Sequence, residues 1–177
     1  MKGTTRERTR AIRDKIERAV RAMTLRPAVA QGTAVTTARL GEGLRCDVEE
    51  GPWSFRADMG EKAGGDGTGP NPGVYGRAAL ATCLAIGYAM WASRRDVSFD
   101  RLEVEVHADY DARGDYGVGD VEPGYPHIRI VVTVATDAAE AEVTDILDEA
   151  DRNSTYYRIF ERGSRLEREV RFVEAPR

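Results

Sequence analysis

The run from Asn71 to about Arg94 constrains the fold more than any other part of this 177-residue chain. Asn71-Pro72 is a helix start, with Asn as the capping side chain and Pro at the first helical position. The segment that follows is apolar all round and rich in small residues: Ala78, Ala79, Ala81, Ala85, Gly87, Ala89 and Ala92. A helix with no polar face must be buried on every side, and its small residues let neighbours approach closely. The apolar stretch Ala78–Ala92, broken only by Thr82, is 15 residues long and falls short of the roughly 20 needed to cross a bilayer. One domain of this size cannot easily surround such a helix. A second copy of the chain is therefore expected to share the burial.

With 41% hydrophobic and 32% charged residues the chain can bury a single core, which excludes the disordered and fibrous classes. The net charge of −4 excludes an overall basic footprint, so no nucleic-acid partner is expected. The charge is uneven. Residues 1–26 hold 9 Lys and Arg against 3 Asp and Glu, which leaves the remainder at −10. Thr4–Thr24 reads as a basic amphipathic helix, with Ile12, Ile16, Ala19, Val20 and Met23 at helical spacing, ended by Pro27. It reads as a cationic, solvated face on a helix packed against the domain, residues 27–177, or against a partner subunit. No apolar leader core is expected at the N-terminus and no membrane partner anywhere. Two cysteines, Cys46 and Cys83, make no disulfide framework and suit a cytoplasmic protein.

After residue 33 the pattern turns to strands. Thr33–Leu40, Leu44–Glu49 and Trp53–Met59 form a three-strand antiparallel meander, joined by Gly41-Glu42-Gly43 and by Glu50-Gly51-Pro52. Gly60–Pro70 is a glycine-rich loop. Beyond the central helix, Arg101–Tyr110 and Pro126–Ala135 alternate polar and apolar residues and are joined only by the polar loop Asp111–Gly124, so they pair antiparallel. Asp137 with Glu140 predicts the capped start of a helix carrying Val143, Ile146, Leu147 and Ala150 on one face. Leu166–Val173 reads as a last strand. Helices and antiparallel strands in this order make an α+β fold.

Few residues carry chemistry. The loop Gly64-Gly65-Asp66-Gly67-Thr68-Gly69 lacks the Lys-Ser/Thr pair of a P-loop and reads as a flexible connection. Asp109, Asp111, Gly114 and Asp115 lack the closing Glu of a calcium loop. His107 and His127, near facing ends of the long strands, lack metal-ligand spacing, so neither metal nor cofactor is expected. Cys83, mid-helix, is either a small buried hydrophobe or a reactive thiol that takes its cation from elsewhere, with Arg39, Arg45, Arg56 and Arg77 available. Cys46 lies in a strand and reads as inert.

Asn71-Pro72, ten further residues and then Cys83, inside an Ala-rich helix behind a Gly-rich loop, resembles the OsmC/Ohr family of thiol peroxidases. The resemblance spans about residues 33–173 and includes the order of elements. It implies antiparallel sheets wrapped around a buried central helix, an intertwined homodimer, and active sites at the subunit interface. It further implies reduction of organic hydroperoxides by a thiolate at Cys83, activated by an arginine, for which Arg39 matches best and Arg45 next. Two features depart from the family pattern: Gly73 stands where the family has the glutamate that holds the arginine, and Ser154, or a residue beside it, stands at the resolving cysteine. Two readings follow. One is a one-cysteine peroxidase served by an external thiol; the other is a catalytically silent dimer that binds a small hydrophobic molecule.

Overall fold

The structure, a computed structural model, describes residues 4–171. Helix α1 spans Thr5–Leu25. It opens on a reciprocal cap: the Thr4 hydroxyl accepts the Glu7 N–H at 3.3 Å, and the Glu7 carboxylate accepts the Thr4 N–H at 2.7 Å. Strands β1 (Thr37–Leu40), β2 (Cys46–Glu50) and β3 (Trp53–Ala57) form the expected antiparallel meander in the order β1-β2-β3. Helix α2, Pro72–Arg94, starts as the sequence predicts, with the Asn71 side chain accepting the Val74 N–H at 3.1 Å. Strands β4 (Arg101–Asp109) and β5 (His127–Ala135) pair antiparallel, with Val104 opposite Val132 and Asp109 opposite His127. A single turn, α3 (Ala112–Asp115), sits in their connection. Helices α4 (Glu140–Arg152) and α5 (Thr155–Arg162) follow.

The core forms on one side of α2. Leu80, Leu84 and Tyr88 are buried there with Ala150 of α4, against Val104, Val106, Ile128 and Ile130 of the β4–β5 pair and Tyr157 and Phe160 of α5. A second cluster joins Ala92, Val97 and Ile146. Alternation along β4 points Leu102, Val104, Val106 and Ala108 inward and leaves the charged residues outside. Helix α1 packs on α2 and is tied down by Thr9 to Ser98 at 2.9 Å, Arg13 to Asp96 at 2.8 Å and, at longer range, Arg6 to Asp137 at 3.6 Å. Most of its other basic residues face solvent.

The glycine-rich segment is a packed connection. Asp58, only 2% exposed, gathers it: its carboxylate accepts the Thr68 N–H at 3.0 Å, the Thr68 hydroxyl at 2.8 Å and the Met59 N–H at 2.8 Å. Those bonds, the Thr68 N–H first and its hydroxyl next, hold the carboxyl below the usual carboxylate range. Added Cβ atoms would lie 2.0 Å from the Met59 carbonyl at Gly65 and 2.7 Å from the Arg56 carbonyl at Gly69, so both must be glycine.

Several elements differ from expectation. Helix α2 is not buried on every side within one chain: Val74, Ala78, Thr82, Ile86 and Met90 form an exposed row at four-residue spacing, with Ile86 61% exposed. The meander does not wrap α2 of its own chain. No helix covers its faces, Trp53 is 73% exposed, and it meets α2 through the Phe55–Tyr75 ring contact and the Tyr75 hydroxyl donating to the Arg56 carbonyl at 2.5 Å. Helix α4 starts from Ala139 with no side-chain cap; Asp137 lies two residues before that position and faces Arg6 at 3.6 Å. Residues 166–171 of the expected last strand form no strand, and its remaining residues lie outside the described ones.

Two stability predictions follow. Ile146→Ala, at a fully buried position, is expected to cost about 2–5 kcal/mol in urea unfolding at fixed protein concentration. Asp58 has a depressed folded pKa, so its contribution is complete above the ordinary aspartate value and is lost as pH falls through the folded one. Asp58→Asn is therefore expected to lower the melting temperature at pH 7 and to flatten the fall in melting temperature below about pH 4.

Candidate active site

Cys83 sits on the flank of α2, one residue before the buried Leu84 and one after the exposed Thr82. The α-helical turn thus puts the sulfur at the boundary between the core and the open row. A cleft of about 350 Å³ opens beside it, between α2 and the α4–α5 junction. Ile86, Met90 and Trp91 line it from α2; Ala150, Asn153 and Ser154 line it from the other side. The Arg94 guanidinium stacks on Trp91 at 4.2 Å and braces that wall.

The Cys83 sulfur lies 3.4 Å from the Ser154 hydroxyl. Ser154 is 6% exposed and also caps α5, accepting the Tyr157 N–H at 3.3 Å. Behind them the Tyr88 hydroxyl donates to Asp151 at 2.8 Å, which ties α2 to the end of α4. Burial raises the Asp151 carboxyl above its ordinary value, and burial, with the Asp151 bond second, raises the Tyr88 phenol. Nothing in the sequence marked this pair, because Tyr at a helical core spacing reads only as apolar bulk.

Among the described residues, no arginine of the same chain lines this cleft. Arg39 is on β1, 63% exposed at its side chain, and pairs with Glu49 at 2.6 Å. Arg56 pairs with Asp47 at 2.9 Å, and Arg45 folds over Gly41. Arg77 donates to the Tyr125 hydroxyl at 2.8 Å. An added Cβ at Gly73 would lie 3.1 Å from Arg77 Nη1 and 3.3 Å from the Tyr125 hydroxyl, so Arg77 and a phenol crowd the place where the resemblance puts a glutamate. Cys46 is on β2, in a different element from Cys83, and neither cysteine is bonded. His107 and His127 pair with Glu105 at 3.0 Å and Asp109 at 3.4 Å, and among the described residues no group of side chains could hold a metal ion.

The family model described as OsmC-like protein matches residues 65–169, the stretch that contains α2, the cleft and Ser154. The chain belongs to the OsmC-like family. The OsmC-like protein of Mycoplasma pneumoniae superposes with a TM-score of 0.63 at 14% identity, covering 75% of this chain and 89% of that one. An osmotic stress induced and detoxification response protein of Psychrobacter arcticus gives 0.59 at 14% identity, over 75% and 92% of the two chains. The organic hydroperoxide resistance protein OsmC of Legionella pneumophila gives 0.52 at 18% identity, over 75% and 91%. No curated protein matches the sequence. These likenesses establish the OsmC-like fold for the chain. Helix α1 and the meander precede the segment that the family model matches. Among the described residues no helix is long and apolar enough to cross a membrane.

The geometry of this OsmC-like site predicts its oxidation products. Ser154→Cys should let brief stoichiometric oxidation close a bond to Cys83, read as a loss of two hydrogens by intact mass and mapped by peptide digestion. The unsubstituted chain should gain oxygen instead, with no bond between Cys46 and Cys83.

Proposed function

We propose that this protein is a homodimeric one-cysteine thiol peroxidase that reduces organic hydroperoxides at Cys83. The observation that carries the reading is a thiol opening into an apolar cleft of about 350 Å³, with a hydroxyl and no second cysteine beside it. The OsmC-like family and the name of the Legionella relative supply the chemical class.

The Cys83 thiolate attacks one oxygen of the hydroperoxide, so an S–O bond forms while the O–O bond breaks. The leaving alkoxide takes a proton and departs as an alcohol. The peroxide is reduced by two electrons, and the sulfur is oxidised to a sulfenic acid. Ser154 cannot form a disulfide. An external thiol therefore condenses with the sulfenic acid, giving a mixed disulfide and water, and a second thiol releases Cys83. Such a cycle suits the cytoplasm, where small thiols are kept reduced.

The row Val74, Ala78, Thr82, Ile86 and Met90 supports a dimer, because an apolar stripe of this length beside a site calls for a cover. Burial by a second copy would close the cleft from the open side. Arg39 acts in this reading as the activating cation across the dimer, since β1 stands clear of its own α2.

Sedimentation at low micromolar concentration is expected to give a dimer. Cys83→Ser should abolish hydroperoxide turnover with a dithiol reductant, because a hydroxyl gives no useful anion at neutral pH. Cys46→Ser should leave it nearly intact, and Arg39→Ala should slow it markedly. Full activity in Cys83→Ser, or no turnover by the parent with several hydroperoxides and reductants, would favour the silent small-molecule-binding dimer.

A further inference from the structure

We infer that Ser154 is the hydrogen-bond donor that holds the Cys83 sulfur in its reactive, anionic form, in addition to starting α5. The inference rests on the reading of Cys83 as the nucleophile and assigns a positioning and activating role to the residue that replaces the resolving thiol.

A serine hydroxyl has one proton to give and two lone pairs to accept with. One lone pair of Ser154 is engaged by the Tyr157 N–H, which fixes the rotamer from the α5 side. Among the described residues, the one side-chain group in reach of its proton is the Cys83 sulfur at 3.4 Å. At 6% exposure, water has little access to compete for that proton. When Cys83 is a thiol, either partner can donate. Once the sulfur is an anion only Ser154 can, and a hydrogen bond to a charged acceptor is roughly twice as strong as a neutral one. The contact therefore sets its one donor on the sulfur when the sulfur acts as the nucleophile.

Among the described residues of a single chain, no other lining group offers the same help. The lining residues from α2 and from the α4–α5 junction include no charged side chain, and Cys83 is the one titratable group among them. Tyr88 and Asp151, on the same two helices, are closed on each other by their 2.8 Å bond. Arg94, at the end of α2, is spent on the Trp91 ring.

The capping and donor roles separate by substitution. In a Cys46→Ser background, the rate of Cys83 alkylation by iodoacetamide is followed by intact mass between about pH 6 and pH 10. Ser154→Ala should slow the rate at pH 7 roughly three- to tenfold and leave the rate at pH 10 unchanged, as expected for loss of one charge-assisted donor. Ser154→Thr keeps both cap and donor and should react like the parent. Ser154→Gly is nearly as good a cap but has neither a donor nor a charge, so it should react as slowly as Ser154→Ala at pH 7. If capping alone mattered, Ser154→Gly would react close to the parent rate. That result, or a Ser154→Ala profile equal to the parent at every pH, overturns the inference. Should Ser154→Ala fail to fold, the comparison of Ser154→Thr with Ser154→Gly decides it alone. Hydroperoxide turnover is measured separately. Its absence with the alkylation differences intact would count against the peroxidase reading and leave the role of Ser154 standing.

Discussion

Helix α2 is asked to satisfy two neighbours at once, and the rest of the molecule is arranged around that demand. One side delivers Leu80, Leu84 and Tyr88 to a core built from β4, β5, α4 and α5. The other carries an apolar row that its own chain leaves open. Cys83 lies on the seam. The proposed nucleophile is thus held by a packed helix beside a surface that is open in the single chain. Mid-helix placement denies that thiol the favourable dipole of a helix start, so in the proposed reaction its activation falls to side chains around it.

Much of this was legible in the residues. Asn71-Pro72 gave the start of α2, alternation gave β4 and β5 with their antiparallel pairing, and glycine placement gave the turns of the meander. These are local signals, decided within a few residues of chain. The errors fall where the outcome depends on more than the local residues. Asp137 carried the spacing of a cap but lies two residues before the observed cap position, facing Arg6. The stretch expected as a last strand forms none at 166–171, and among the described residues no neighbouring strand pairs with it. The apolar circumference of α2 announced burial on every side, and a single chain supplies one side of it.

The site was legible only in part. The resemblance pointed to Cys83 and put Ser154, or a residue beside it, at the resolving position; the structure places these two side chains 3.4 Å apart. The wall formed by Ile86, Met90 and Trp91 carried no signal of its own, because residues lining a cleft and residues filling a core share one helical spacing. Asp58 was missed for a related reason. A lone aspartate before a glycine-rich loop reads as solvent-facing until the Thr68 N–H and hydroxyl are seen to converge on it.

The slender attachment of the meander has its own consequence. Strands β1–β3 touch α2 of their own chain chiefly through Phe55 and Tyr75, while their hydrogen bonds are nearly all internal. A three-strand sheet with no helix on it has little apolar burial to offset the entropy of ordering its backbone. Within a single chain the meander is therefore expected to be held less firmly than the helix-centred core and to open more readily. Amide protons of β2 should then exchange through a cheap local event, and those of α2 only when the whole core lets go.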